Sequence, residues 1–354
     1  MKRILSITLV AVLLLGLCAC GAEKTATTGT ESVAATAEPV VETTAASVKK
    51  VKTTEAPVEE GTLRVYSLKG PTSMGIATML RDSEAGKTNL HYASTICTAA
   101  DEVTAALVNG KADAAMLPAN AAAALFNKAG GFSVVAINTL GVLYVVENGD
   151  TIHSVKDLAG KTVCLTGKGT TPEYALRYLL AANGIEDQVT LEFKSEAQEV
   201  VAAMGENVAM IGLLPQPFVT AAMMQNDKLR LALDLTEEWK NVDQSGSLVT
   251  GVTVVRNEII QEYPDMVNAF IKDCLDGVDI VNADPAAAAE LIVSMGIVAK
   301  APIAEKAIPF CNLVCIQGEE MKTLLSSYLQ TLFDQNPKAV GGAMPADDFY
   351  YTGE

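Results

Sequence analysis

Two glycines set among threonines decide what residues 161–184 can become. Lys161-Thr-Val-Cys-Leu165 is a short apolar, β-branched run, which predicts a strand. Gly167 and Gly169 follow, and only glycine takes positive φ without a steric cost, so the chain turns sharply there. A helix start comes next. With Thr170 as N-cap, Glu173 falls at N3 and completes a capping box; with Thr171 as N-cap, Pro172 falls at N1, where its missing N–H costs nothing. Ala175, Tyr178, Leu179 and Ala182 keep helical spacing, and Asn183-Gly184 supplies a stop. Strand, glycine turn and helix start together place free backbone N–H groups and two hydroxyls at the C-terminal edge of a sheet. That arrangement suits an anion or a polar ligand head. It holds no nucleophile with a neighbouring base.

The same grammar recurs along the chain. Thr62–Leu68 alternates as a strand, then runs through Lys69-Gly-Pro-Thr-Ser-Met74 into a helix carrying Ile76, Met79 and Leu80. Leu107 to Pro118 and Ala202 to Pro215 match in outline: helix, glycine stop, short apolar strand, then proline at the turn into another helix. Further strands are expected at 90–94, 132–138, 141–146, 190–193 and 251–255. From Pro264 onward the pattern is helical, with Met266, Phe270 and Cys274 on one face, and 341–354 reads as irregular. Strands alternating with helices predict an α/β protein of two similar lobes, each a mostly parallel sheet flanked by helices.

The front of the chain has another character. Met1-Lys-Arg is followed by an apolar run, Ile4 to Leu17, too short to span a bilayer comfortably. Residues 20–60 are rich in Thr, Ala, Glu and Val without any period, which predicts a disordered tether. At 354 residues the chain accommodates two domains, and its net charge of −16 excludes nucleic acid as a partner. Cys97, Cys164, Cys274, Cys311 and Cys315 are an odd set among apolar neighbours and read as small buried hydrophobes. Cys311 and Cys315 have the spacing of one helical face, but neither His91 nor His153 is near in sequence to complete a metal site.

Leu17-Cys-Ala-Cys20-Gly resembles the lipobox of bacterial lipoproteins, which implies a signal peptide at 1–19 and lipidation of Cys20. Thr151-Ile-His-Ser-Val-Lys-Asp-Leu-Ala-Gly-Lys-Thr-Val163 resembles the S-x-x-D-L-x-G-K stretch that opens the second lobe of ABC-transporter substrate-binding proteins. With the Gly167–Leu179 segment it is similar to the SsuA/TauA and THI5-like (NMT1) branch, whose members bind sulfonates, nitrate-like anions, pyrimidines or flavin precursors. The resemblance covers about residues 61–335. It implies a type II periplasmic-binding-protein fold with lobe 1 at 61–143 and 251–354, lobe 2 at 144–250, and hinges near 138–143 and 249–253.

The resemblance further implies ligand contacts from the loops at strand C-termini: Lys69, Thr72, Ser73 and Met74; Ala119 and Asn120; Gly169, Thr170 and Thr171; and Gln216. Lys69 and Lys168 are candidates to pair with an anion. No arginine occupies these loops, which argues against the bidentate grip expected for a taurine-type ligand. The implied function is a lipid-anchored, extracytoplasmic, monomeric receptor delivering a small polar or anionic solute to an ABC permease and its ATPase, with no catalytic residue, metal or cofactor. Two alternatives remain open. One is a pyrimidine-synthesis enzyme of the THI5 kind, although Cys311-Asn-Leu-Val-Cys315 does not match its iron motif; the other is a ligand sensor without transport.

Overall fold

Burial along the strands dictates how the layers stack. The computed structural model describes residues 61–207, 210–243 and 246–353. The expected signal peptide, Cys20 and the tether at 20–60 lie outside the described residues. Eleven strands are present: β1 (Thr62–Leu68), β2 (His91–Cys97), β3 (Ala114–Pro118), β4 (Phe132–Thr139), β5 (Leu143–Asn148), β6 (Thr162–Leu165), β7 (Thr190–Phe193), β8 (Ile211–Pro215), β9 (Leu229–Asp234), β10 (Gly251–Arg256) and β11 (Leu313–Ile316). They form a six-stranded sheet ordered β11-β4-β10-β3-β1-β2 and a five-stranded sheet ordered β7-β6-β8-β5-β9.

Central strands β4 and β10 are buried along their whole length, the mark of a sheet covered on both faces. Alternation along β3 separates those faces. Ala115 and Leu117 pack with Val103, Leu107, Leu325 and Leu329 on one side. Ala114 and Met116 pack with Met79, Leu80, Phe270 and Ile271 on the other. The five-stranded sheet repeats the scheme: Val163 and Leu165 of β6 face Leu176 and Leu179, while Cys164 faces Val200 and Met204. Glycine is required at Gly212 by closeness, since a Cβ there would lie 2.4 Å from Met204 Sδ. Among the described residues no helix is long and apolar enough to cross a membrane.

The expectation of mostly parallel sheets needs correction at three strands, β5, β10 and β11, the last pairing antiparallel with β4. β1 pairs parallel with β2 and β3, and β6 pairs parallel with β7 and β8. β10, however, runs antiparallel to β3 and β4, and β5 runs antiparallel to β8 and β9. The reason is topological. β4 ends at the C-terminal edge of its sheet, and β5 begins only a few residues later at the C-terminal edge of the other, so it must run backwards. β10 returns in the same manner, with Gly251 opposite both Pro118 and Thr139. Two crossings therefore join C-terminal edge to C-terminal edge.

The opposite edges are pinned by buried carboxylates. Asp113 is fully buried; it accepts from the Arg64 backbone N–H at 2.9 Å and from Arg64 Nε at 2.8 Å, with Arg256 Nη1 3.9 Å away. In the second sheet Glu147 accepts from the Thr151 and Ile152 N–H groups, each at 3.0 Å, and pairs with Arg230. Burial pushes the Glu147 carboxyl up, but the bonds from Ile152 and Thr151 and the charge of Arg230 outweigh it and hold the group below the ordinary glutamate value.

The C-terminal segment is irregular, as read, apart from a 3₁₀ turn at Asp347–Phe349 and one isolated bridge, yet it is packed onto the sheet. Tyr350 bridges to Val134, the Tyr351 N–H donates to the Val134 carbonyl at 2.9 Å, and Phe349 is fully buried. Cys311 and Cys315 do not share a helix: Cys311 closes a 3₁₀ turn and Cys315 sits in β11. Cys311 Sγ lies 3.7 Å from Met74 Sδ, and burial pushes its thiol above the ordinary range.

Replacing Asp113 with Ala removes the buried acceptor of the Arg64 backbone N–H and Nε and should cost about 3 kcal/mol in denaturant unfolding. A lowered carboxyl pKa stabilises the fold at pH above the unfolded value and ceases to as pH falls through the folded value. Glu147→Gln should accordingly be less stable than the parent at neutral pH. That gap should narrow as pH drops below 4.5, as read by unfolding at stepped pH.

Candidate functional site

Where the two C-terminal edges meet, a cavity of about 210 Å³ remains. Its wall is built from Lys69 to Thr72 after β1, Pro118 at the end of β3, Thr139 at the end of β4, and Pro215 to Phe218 after β8. Val142 and Thr250 add the two crossings. The crossings are held by backbone bonds: the Thr250 N–H to the Thr139 carbonyl at 3.0 Å, the Ala119 N–H to the Thr250 carbonyl at 3.0 Å, and the Gln216 N–H to the Val142 carbonyl at 2.9 Å.

Each polar wall residue has a traceable role. Gly70 has φ of 122°, which lets the chain leave β1 and start the short helix Pro71–Met74. Thr72 Oγ1 donates to the Leu68 carbonyl at 2.6 Å, and Ser73 Oγ lies 2.7 Å from both Ser67 Oγ and that carbonyl. Ser73 and Met74 are fully buried in the structure, Met74 against Cys311. Lys69 is exposed at the mouth. Gln216 is 2% exposed, and its Oε1 accepts from Thr220 Oγ1 at 2.8 Å, which leaves the Nε2 hydrogens to donate. Thr250 Oγ1 is buried without a hydrogen-bond partner, as are Thr236 Oγ1 and Trp239 Nε1 on the helix Leu235–Val242. Such orphans are uncommon, and one in a cavity wall is a group that a bound molecule can satisfy.

Of the sequence-predicted residues, Lys69, Thr72 and Gln216 line the cavity. Ala119 and Asn120 follow Pro118 onto the helix Ala119–Ala129, outside the wall. Gly169, Thr170 and Thr171 are also outside it, and two N–H groups of that turn are bonded within its own chain. Glu173 Oε2 accepts from the Gly169 N–H at 2.7 Å, and the Thr170 N–H goes to the Gly167 carbonyl at 2.9 Å. The capping box is not formed: Thr170 is the N-cap, but its hydroxyl donates back to the Gly167 carbonyl at 2.7 Å. Thr171 Oγ1 accepts from Tyr328 Oη at 3.4 Å, a contact between lobes. Lys168 lies over the Phe193 ring, 5.7 Å from its centroid. Burial pushes the Glu173 carboxyl up, yet the Gly169 N–H and Arg177 bring it below its usual value.

Sequence reasoning named the crossings as hinges but did not name Thr139, Val142, Phe218 or Thr250 as wall residues. The signal was available: a crossing that joins two sheet edges necessarily passes through the space between them.

A family model described as NMT1/THI5 like matches residues 95–288, more than half of the chain. The chain belongs to the NMT1/THI5-like family. Solved structures share its fold. An ABC transporter protein from Parabacteroides distasonis aligns with TM-score 0.70 and 21% identity, covering 82% of this chain and 99% of that one. The periplasmic aliphatic sulphonate binding protein SsuA from Escherichia coli aligns with TM-score 0.64 and 16% identity, covering 80% and 90%. The desulfurization enzyme DSZB aligns with TM-score 0.51 and 15% identity, covering 78% and 92%. A search of curated proteins finds no match. At these identities the likeness establishes the two-lobed α/β fold of this family member, and chemistry has to be argued from its own residues.

Glu173→Ala removes an acceptor from the Gly169 N–H and a partner from Arg177. It should lower stability by about 1 kcal/mol, the usual loss for a helix-start contact. Because this turn lies outside the cavity wall, solute affinity measured by titration calorimetry should stay within twofold of the parent.

Proposed function

We propose that this chain is an extracytoplasmic solute-binding protein of an ABC importer, tethered through Cys20, that holds a small polar or anionic organic solute between its lobes. The observation that carries the reading is the cavity at the crossings. Both lobes and both hinge segments contribute wall, so a molecule bound there contacts everything that moves when the lobes close. Its polar equipment consists of donors and hydroxyls: Lys69, the Gln216 amide nitrogen, and Thr72, Thr139 and Thr250. Binding proteins of ABC transporters among the structural relatives support the transport setting.

An enzyme reading has one relative in its favour, the desulfurization enzyme. The cavity wall carries no His, Cys, Asp or Glu, and among the described residues no hydrogen bond pairs Lys69 as base with one of the wall threonines as nucleophile; Thr72 and Thr139 donate to Leu68 and Asn138 instead. A sensor without transport would use the same lobes; a permease and an ATPase encoded beside this chain favour transport.

The test is a thermal-shift screen of the purified protein against sulfonates, carboxylates, pyrimidines, flavins and inorganic anions. A true solute should stabilise by about 2.7 kcal/mol at a hundredfold excess over Kd. Lys69→Met should shrink that shift for an anionic solute while leaving the unliganded melting point in place, since Lys69 is exposed. No shift with any solute class would sink the reading.

A further inference from the structure

Two cysteines meet on one face of the six-stranded sheet, away from the cavity. Along β11, Val314 and Ile316 pack with the cluster that holds Leu325 and Leu329, so Leu313 and Cys315 point to the opposite side. There Cys315 packs with Ile271 and Cys274 of the helix Pro264–Ala283. Its Sγ lies 3.8 Å from the Ile271 carbonyl oxygen. A helical carbonyl points toward the turn that follows it, and that turn carries Cys274. Burial pushes the Cys274 thiol well above its ordinary value, and the neighbouring Cys315 raises it further. The other described cysteines stand elsewhere: Cys97 ends β2, Cys164 lies in β6 of the second sheet, and Cys311 sits against Met74.

The two thiols differ in access. Cys315 is half-buried, with the exposed Gln317 bringing Nε2 to 3.8 Å from its Sγ. Cys274 is buried, its Sγ 3.7 Å from Met79 Sδ. An outer thiol that a dissolved reagent reaches, backed by an inner one that it does not, is the arrangement of an attacking and a resolving cysteine. Burial pushes Cys315 up to about 11, which keeps its thiolate scarce and the first step slow; the thiolate that does form is a strong nucleophile.

We propose that Cys315 and Cys274 form a paired oxidation site, at which a small dissolved disulfide such as glutathione disulfide closes a bond between β11 and the helix Pro264–Ala283. The Cys315 thiolate attacks one sulfur of the oxidant. The oxidant's S–S bond breaks, one glutathione leaves with the proton that Cys315 lost, and a mixed disulfide remains. Cys274 then gives up its proton and attacks Cys315 Sγ, expelling the second glutathione. Two protein thiols are oxidised and one disulfide is reduced to two thiols. Just ahead of β11, the Asn312 carbonyl accepts from the Leu140 N–H at 3.1 Å and the Phe310 carbonyl from Tyr144 Oη at 2.7 Å. Closure therefore ties the segment that supports the first crossing to a helix of lobe 1.

The test is peptide mapping by mass spectrometry after the folded full chain has been incubated with glutathione disulfide and its free thiols alkylated. The parent should yield a linked pair of peptides carrying Cys274 and Cys315, released by dithiothreitol, and the linked form should unfold at higher denaturant concentration than the reduced one. Cys274→Ser should stop at the first step, with glutathione retained on Cys315. Cys315→Ser should leave Cys274 alkylated as a free thiol, and Cys311→Ser should react like the parent. Glutathione retained on Cys315 in the parent, or a link from Cys315 to Cys97, Cys164 or Cys311, overturns the pair. So does recovery of both thiols free from the folded chain when the unfolded chain is oxidised by the same reagent. The reaction needs no solute, so either result leaves the solute-binding reading where it stands.

Discussion

Three backbone hydrogen bonds hold the place where this molecule changes lobes. The Thr250 N–H reaches the Thr139 carbonyl, the Ala119 N–H reaches the Thr250 carbonyl, and the Gln216 N–H reaches the Val142 carbonyl. They fasten each crossing to the C-terminal edges of strands that would otherwise end in unsatisfied groups. Once the crossings are fixed there, β5 and β10 must run backwards, the helix starts converge, and the cavity wall follows. The carboxylate pins at Asp113 and Glu147 sit at the far edges, where they stiffen each sheet without entering the space between them.

Much of this was written plainly in the residues. The strands of the first lobe and the turn glycines were legible because period and turn chemistry agree locally: Leu63, Val65 and Ser67 point inward by simple alternation. β9 and β11 were missed for opposite reasons. Leu229–Asp234 has three partly buried positions in a row between Leu229 and Leu233, so its pattern is blurred. Leu313–Ile316 is four residues long and follows Asn312 at φ of 46°, a turn that propensity does not announce. The site was harder to read. The Gly167–Thr171 turn has every local mark of an anion site, and only the folded chain shows Glu173 folding back to take the Gly169 N–H. Sequence spacing identifies groups able to bind; it does not say which are already engaged.

The unpaired polar atoms are also concentrated. Thr250 Oγ1 belongs to the returning crossing and Thr236 Oγ1 and Trp239 Nε1 to the helix Leu235–Val242, and each costs about 1–3 kcal/mol while it lacks a partner. Trp239 is wedged between Tyr178 and Tyr328, one from each lobe, at centroid distances of 4.3 and 5.8 Å. The second crossing itself is fastened through its backbone while the Thr250 hydroxyl stays unpaired.

Gly251 stands where the returning chain meets the cavity wall. It opens β10 between β3 and β4, and a Cβ there would lie 2.5 Å from Asn138 Oδ1 and 2.8 Å from Thr72 Cγ2. The start of β10 and the cavity-wall residue Thr72 are thus in direct contact. Selectivity and mechanical response are consequently not separate traits in this chain: an alteration that reshapes one is transmitted by contact to the other.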